Sequence, residues 1–218
     1  MIKTIIFDFD GVILETNEIK LQAFLSIFQD CSQDVQDKIA QLHLENDGVS
    51  RTEKFRIIRE KFLNQPFDPI KIKELEKTFA IFCADKIKKA SWVNGVFEFI
   101  HFAYKKYSLY IVSAAPESEI KEIVAERKLE KYFQGVYGHP RSKSELYKMI
   151  LEKEHIGADE ALCIGDSLGD FNSAQNNSIN FVARIHEHNQ ELFENKRELL
   201  TVKDFRGFEH LLEKINHG

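Results

Sequence analysis

Two aspartates interrupt an apolar stretch near the start of the chain. Residues 5–13 read IIFDFDGVI, so that Asp8 and Asp10 stand one residue apart and Gly11 follows directly. In a β-strand alternate side chains share a face, and both carboxylates would therefore point to the same side. Adjacent carboxylates raise each other's proton affinity unless a cation or a shared proton compensates them. Such a pair is more typical of a functional site than of a surface.

Further polar residues follow short apolar runs later in the chain. Ser113 comes after LYIV, and Lys143 lies in GHPRSK after GVY. The segment IGDSLGD carries two more acids, Asp166 and Asp170. Because ligands of open parallel sheets bind at the carboxyl ends of the strands, we expect these side chains in one crevice. Acids, a hydroxyl and a lysine in one crevice can hold a divalent cation beside an anionic group, which indicates metal-assisted phosphoryl transfer.

Strand and helix patterns alternate through the second half of the sequence. Apolar runs predict strands at 2–9, 109–112, 135–138, 161–165 and 179–185. From about residue 91 onward, helical patterns lie between these runs. The alternation predicts an α/β fold with a doubly wound parallel sheet and helices on both of its faces.

The segment between the first two strands has a different pattern. From about residue 17 to residue 90, amphipathic helical patterns follow one another without a strand pattern between them. The first strand must nevertheless pair with strands beyond residue 108. We therefore predict a discontinuous core domain of residues 1–15 and 91–218, with residues 16–90 forming a smaller helical cap domain inserted after the first strand.

Composition and charge argue against several classes of protein. The 218 residues carry a formal net charge of -5 with both signs interspersed, which is unlike a nucleic-acid-binding protein. Three widely spaced cysteines suggest no disulfide framework, and His186 and His188 have no third metal ligand nearby, so we expect them in a solvated loop. With no membrane-spanning run and no signal-peptide pattern, we expect a cytoplasmic monomer that binds no membrane.

In their order along the chain, these motifs resemble those of the haloacid dehalogenase-like hydrolase superfamily, whose core is Rossmann-like. The motifs are Asp8 to Gly11, Ser113 at a strand end, Lys143, and the run from Gly165 to Asp170. The predicted helical cap resembles that of the subgroup containing phosphoglycolate phosphatase and β-phosphoglucomutase. The resemblance covers most of the chain and implies a lid that closes over the site.

The resemblance implies a role for the first three motifs. Asp8 would attack phosphorus and form an aspartyl-phosphate. Asp10 would protonate the leaving group and then take a proton from the water that hydrolyses the intermediate. The phosphoryl oxygens would be bound by Ser113 and Lys143.

The resemblance also implies a magnesium ion as cofactor. The carboxylates of Asp8 and Asp166 and the main-chain carbonyl of Asp10 would bind Mg²⁺, and Asp170 would orient these ligands. The cation would relieve the repulsion between the two aspartates of the first motif.

The cap offers candidates for substrate contacts. The segment from Gly48 to Arg51 resembles the cap loop that β-phosphoglucomutases use for substrate, so Arg51 is a candidate for binding a second anionic group. The alternative is a helix capped by Ser50 with an exposed arginine. Thr16 lies at an expected hinge where the chain enters the cap, and Lys20 stands where mutase relatives carry a histidine. Both are further candidates for contacts with the substrate.

Three functions remain open at this level. We expect a magnesium-dependent phosphomonoester hydrolase that acts on a small phosphorylated metabolite such as a sugar phosphate, since an acid at Asp10 suits an oxygen leaving group. A phosphomutase of the β-phosphoglucomutase type would use the same aspartyl-phosphate but return the phosphoryl group to a second hydroxyl. A catalytically silent protein that binds a metabolite is the third option, although no catalytic group is missing from the sequence.

Overall fold

A parallel six-stranded sheet forms the centre of the molecule in the computed structural model, which describes residues 1–45, 49–196 and 198–217. The strands are β1 (Thr4–Phe7), β2 (Ser108–Pro116), β3 (Gly135–His139), β4 (Ala161–Gly165), β5 (Asn180–Arg184) and β6 (Leu200–Val202). Their order across the sheet is β3-β2-β1-β4-β5-β6, and every pairing is parallel. This topology confirms the predicted α/β fold.

Helices connect the strands and extend the chain. Within the described residues they are α1 (Asn17–Ile27), α2 (Gln33–Glu45), α3 (Arg51–Ile57), α4 (Pro69–Lys88), α5 (Val96–Ala103), α6 (Glu117–Glu126), α7 (Lys143–Glu154), α8 (Leu168–Asn176), α9 (Gln190–Phe193) and α10 (Phe208–His217). Helix α3 continues as a π-helical segment, Ile58–Phe62. Across the described residues, no helix combines the length and the apolar character needed to cross a membrane.

The strand order explains where the functional residues meet. Strand β1 lies between β2 and β4, and Ile6 pairs with both Tyr110 and Cys163. The chain adds β2 and β3 on one side of β1 and adds β4 to β6 on the other. Such a reversal opens a crevice at the carboxyl ends of the central strands, where ligands of open α/β sheets bind.

Both faces of the sheet are covered. The ring of Phe7 in β1 lies 6.0 Å from that of Phe99 in α5 and 6.1 Å from that of Phe205 before α10. Ile6 belongs to a second cluster, which contains Leu146 of α7. Since neighbouring side chains of a strand point to opposite faces, β1 is packed between two helical layers.

Helices α1 to α4 form the helical insert, which packs around aromatic side chains. The ring of Phe24 in α1 lies 5.1 Å from that of Phe55 in α3 and 4.8 Å from that of Phe79 in α4. All three are buried, and their cluster is continuous with the one that contains Phe7 of the sheet. The insert is therefore held against the sheet by shared apolar packing.

Helix starts in the insert follow the capping rules. At the start of α3, the backbone N–H of Glu53 donates to the side chain of Ser50 at 3.4 Å. Asp68 accepts backbone hydrogen bonds at the start of α4, where Pro69 occupies the first turn. A further turn that the sequence predicts at residues 46–48 lies outside the described residues.

Element boundaries differ from the prediction in the second half of the chain. Strand β2 runs through Ser113 to Pro116, with a shift of register beyond Val112. The sequence pattern did not predict β6, α9 or α10. Leu200 and Thr201 of β6 are both exposed, so this edge strand lacks the alternation that identifies a half-buried strand.

Removing a ring from the insert's aromatic cluster tests its contribution to stability. Phe55 is 0% exposed, and we expect Phe55→Ala to lower the free energy of unfolding by about 3–5 kcal/mol because a cavity remains. Urea denaturation followed by circular dichroism measures the change. Phe67→Ala is the matched control, since Phe67 is 53% exposed and its loss should cost less than about 0.5 kcal/mol. Equal effects would contradict the assigned core.

Candidate active site

Six side chains that the sequence analysis selected lie at the carboxyl edge of the sheet. They are Asp8, Asp10, Ser113, Lys143, Asp166 and Asp170, and all six are buried. Asp8 extends the ladder of β1, since its backbone N–H donates to the carbonyl of Ile164 in β4 at 2.9 Å. Asp166 follows β4, while Lys143 and Asp170 lie in the first turns of α7 and α8. Strand ends and helix starts together build one site.

Lys143 binds two of the acids. Its Nζ lies 2.9 Å from Oδ1 of Asp8 and 2.5 Å from Oδ1 of Asp170. A capping box formed by Ser142 and Glu145 fixes the start of α7 and hence the position of the lysine. Burial disfavours the charged ammonium, but the charges of Asp170 and Asp8 outweigh it and raise the pKa of Lys143 above its usual value. The lysine therefore remains protonated.

Arg141, two residues before Lys143, is a second cation that could bind phosphate according to the sequence. Its side chain is exposed and donates to Glu117 at 3.2 Å, on the outside of α6. Lys143, two residues later, is the one of the two that contacts Asp8 and Asp170.

Three carboxylates of the site form a cluster that suits a metal ion. Asp8, Asp166 and Asp170 each offer an oxygen within 4.8 Å of the other two. Burial, followed by the charge of Asp170, raises the pKa of Asp8 well above its usual value. Oδ1 of Asp8 is buried and has no partner in hydrogen-bond geometry among the described residues, although Lys143 lies beside it. Carboxylate oxygens with excess negative charge are the ligand set that Mg²⁺ prefers.

The carboxylate of Asp10 contacts the helical insert. Thr16 donates its hydroxyl to Oδ1 at 2.6 Å, and the ammonium of Lys20 forms an ion pair with Oδ2. The Ser113 hydroxyl lies 3.4 Å from the same Oδ2. Thr16 and Lys20, which the sequence suggested as substrate contacts, thus lie against the candidate acid. The side chain of Asp10 is held at the boundary between insert and sheet.

A cavity of about 50 Å³ lies between the carboxyl edge of the sheet and the insert. Asp8 and Asp10 line it from the sheet, and Arg51 and Lys54 line it from the insert. Lys54 is buried, and its Nζ lies 2.9 Å from Nδ1 of His43. The sequence did not indicate this pair, because helical periodicity alone does not show that polar residues on different helices meet.

Arg51 connects the insert to the core. Its guanidinium forms an ion pair with Glu119 of α6 and lies 5.2 Å from the centre of the Phe79 ring. The sequence left open a helix capped by Ser50 with an exposed Arg51. The Ser50 cap is present, but the side chain of Arg51 is largely buried. The arginine lines the cavity together with its acidic partner.

Two residues beside Asp166 were also missed. Nδ2 of Asn17 donates to Oδ2 of Asp166 at 2.7 Å, and Nε2 of His186 lies 3.1 Å from the same oxygen. The expectation of a solvated loop is wrong for His186, whose side chain is 15% exposed. His186 follows β5, so the rule that selected the other strand ends also applies to it.

Gly11 allows the main chain to approach this carboxylate closely. Its φ is +67°, in the left-handed region, and a Cβ there would lie 1.9 Å from Oδ2 of Asp166. Any larger residue would clash with that oxygen, which explains the glycine after Asp10.

Comparisons with known proteins agree with this geometry. Residues 5–184 match the family profile of the haloacid dehalogenase-like hydrolases. The chain is 23% identical over 183 residues to a phosphorylated carbohydrates phosphatase of Thermotoga maritima, covering 81% of this chain and 82% of that protein. It is 27% identical over 184 residues to the pyrophosphatase PpaX of Listeria monocytogenes, covering 80% and 79%.

The fold also matches a solved structure. The β-phosphoglucomutase of Clostridium difficile superimposes with a TM-score of 0.80 at 19% identity, covering 100% of this chain and 98% of that chain. The family match, residues 5–184, runs from β1 to the end of β5 and includes all four motifs. The chain therefore belongs to the haloacid dehalogenase-like hydrolase family and is an enzyme of the phosphatase type.

Proposed function

We propose that this enzyme is a magnesium-dependent phosphomonoester hydrolase that acts on a small phosphorylated metabolite through an aspartyl-phosphate at Asp8. The observation that supports it most strongly is the buried cluster of Asp8, Asp166 and Asp170 beside the ammonium of Lys143. Unless a metal cation binds, these carboxylates carry excess negative charge. They also place an oxygen of Asp8, which can attack phosphorus, next to Lys143, which can bind phosphate.

Metal ligands in this proposal are the carboxylates of Asp8 and Asp166 and the main-chain carbonyl of Asp10, with Asp170 in a supporting position. Asp170 accepts hydrogen bonds from the backbone N–H and the hydroxyl of Ser167, at 3.2 and 2.6 Å, which fix its orientation. Bound Mg²⁺ would neutralise charge on the phosphoryl oxygens and on the acids.

The geometry supports Asp8 as the nucleophile and Lys143 and Ser113 as phosphate-binding groups in this proposal. An oxygen of Asp8 attacks phosphorus, a new bond from that oxygen to phosphorus forms, and the bond from phosphorus to the ester oxygen breaks. Lys143 already contacts Asp8, and without moving it can also donate to the oxygens of a phosphoryl group bound beside Asp8. The hydroxyl of Ser113 is the second donor.

Asp10 is the proposed proton carrier. It gives its proton to the departing alkoxide, then removes a proton from the water that attacks the aspartyl-phosphate, which releases phosphate and restores Asp8. The hydrogen bond from Thr16 and the ion pair with Lys20 hold the carboxylate at the cavity. In this proposal Thr16 and Lys20 contact both the substrate and Asp10. Both residues belong to the cap domain, which consists of residues 16–90.

The lining of the cavity and the relatives support a substrate class. The insert contributes the basic side chains of Lys20, Arg51 and Lys54 to that lining, which suits an anionic ligand. The Thermotoga relative is named for phosphorylated carbohydrates. We propose a sugar phosphate or a similarly small phosphate ester, in a cytoplasmic, monomeric enzyme.

A phosphomutase is the second candidate, because the fold matches that of a β-phosphoglucomutase along its whole length. A mutase must exclude water and must bind a second phosphate. Arg51 could supply such a contact only after exchanging its partner Glu119. A bisphosphate-primed assay that follows the conversion of one sugar monophosphate into its positional isomer distinguishes the two functions.

Phosphate release from a panel of phosphate esters tests the hydrolase. With Mg²⁺ we expect turnover that falls by at least about 10⁴-fold in Asp8→Asn, since the nucleophile is lost. EDTA should abolish activity reversibly. Hydrolysis by Asp8→Asn at the wild-type rate, or no hydrolysis of any ester by the wild type, would contradict the proposal.

Lys143→Ala and Arg141→Ala compare a buried cation of the site with an exposed cation two residues away. We expect Lys143→Ala to lower kcat/KM by at least about 100-fold, because a donor to the phosphoryl oxygens is lost. Arg141→Ala should change kcat/KM by less than about threefold. Steady-state kinetics measures both, and similar losses in the two variants would argue against the assigned role.

Asp8→Asn should also stabilise the protein when divalent cations are absent. The substitution replaces a carboxyl whose charged form is disfavoured by burial and by the charge of Asp170, which together outweigh the attraction of Lys143, so we expect the free energy of unfolding at pH 7 to rise by about 1 kcal/mol. Urea denaturation in EDTA measures this change. Asp30→Asn on the exposed surface is the matched control, with a change below about 0.5 kcal/mol. A loss of stability in Asp8→Asn would contradict repulsion in the cluster.

A further inference from the structure

Two nitrogens meet on one oxygen of Asp166. Nδ2 of Asn17 lies 2.7 Å and Nε2 of His186 lies 3.1 Å from Oδ2, and the two nitrogens are 3.2 Å apart. Asn17 belongs to α1 of the insert, while His186 follows β5 of the core. The contacts therefore join two parts of the chain that are far apart in sequence.

One backbone contact favours a particular tautomer of His186. The backbone N–H of His188 donates to Nδ1 of His186 at 3.3 Å, so Nδ1 acts as an acceptor there. A neutral imidazole with Nδ1 as acceptor carries its proton on Nε2, which can donate to Asp166. In this tautomer both nitrogens on Oδ2 are donors, and together they fix the direction of the carboxylate.

The loop that carries His186 is held by a buried amide. Nδ2 of Asn189, a residue only 2% exposed, donates to the carbonyls of Asp166 and Arg184 at 2.7 and 2.8 Å. Its Oδ1 accepts from the backbone N–H of His186 at 2.8 Å. Three backbone groups are thus tied to one side chain, and His186 has a defined position before any ligand binds.

Asn17 is positioned from the opposite side. Its main-chain carbonyl lies 3.3 Å from Nε2 of His43, whose other ring nitrogen contacts Lys54. The adjacent Thr16 donates to Asp10. Asn17 reaches Asp166 because the insert lies against the sheet in this arrangement.

We propose that Asn17 and His186 are positioning residues that orient Asp166 and thereby strengthen the binding of a divalent cation at the acid cluster. The proposal rests on the metal site of the proposed function. Hydrogen-bonded partners of ligating carboxylates typically contribute a factor of about 10–100 to metal affinity. Because Asn17 belongs to the insert, the affinity for the cation depends on the position of the insert relative to the sheet.

Metal titration of the full chain tests this role without using activity. Mn²⁺ binding is followed by electron paramagnetic resonance, and Mg²⁺ binding by displacement of Mn²⁺. We expect Asn17→Ala and His186→Ala each to weaken binding by about 10-fold or more. His186→Gln, which keeps a donor nitrogen at similar reach, should recover affinity to within about threefold of the wild type.

Controls separate the role from general damage. His188→Ala removes an imidazole from the same loop but keeps the backbone N–H that contacts His186, so its affinity should stay within about twofold of the wild type. Circular dichroism and thermal melting confirm that each variant is folded. Asp166→Asn should lose most of the affinity for the cation, and it shows how large the effect is when a metal ligand itself is removed.

The outcomes distinguish this inference from the proposed function. Wild-type affinity in both alanine variants, an effect in only one of them, or failure of His186→Gln to recover binding overturns the role of the pair while leaving the metal site intact. Absence of binding to the wild-type protein overturns the metal site and this inference together.

Discussion

Three buried carboxylates share a small volume with one ammonium group. Asp8, Asp166 and Asp170 lie within 4.8 Å of one another through their oxygens, and Lys143 contacts two of them. Burial removes the water that would otherwise solvate these charges, which disfavours the charged form of Asp8. The surrounding strands and helices hold the acids together because their own apolar packing offsets this cost. In the proposed metal site, a cation between the acids would reduce this cost.

The donors around the acids are distributed unequally. Asp170 accepts from Ser167, Lys143 and the hydroxyl of Tyr147, the last at 3.4 Å. Oδ1 of Asp8, by contrast, lies 2.9 Å from the ammonium of Lys143 and has no partner in hydrogen-bond geometry among the described residues. Asp8 therefore has fewer hydrogen-bond donors than Asp170. In the proposed mechanism this difference favours Asp170 as the supporting acid and Asp8 as the nucleophile.

The sequence predicted much of this site because the rule for strand ends is local. Each apolar run identified a strand, and the next polar residues identified Ser113, Lys143 and Asp166. Asn17 and His186 were not predicted, because their contact spans 169 positions and joins an inserted helix to the sheet. The length of β2 and the existence of β6 were missed because edge and irregular strands lack a regular apolar pattern.

The start of α1, from its N-cap Thr16 to Lys20, contacts both the candidate acid and a candidate metal ligand. Thr16 and Lys20 are four residues apart, so they lie on one face of the helix, and both contact Asp10. The next residue, Asn17, lies about 100° further around the helix axis, and its side chain contacts Asp166 and not Asp10. Movement of the insert away from the sheet would withdraw partners from the candidate acid and from a candidate metal ligand at once. In the proposed mechanism, the same movement would admit water to the cavity, and closure of the insert would assemble the site and exclude solvent in one step.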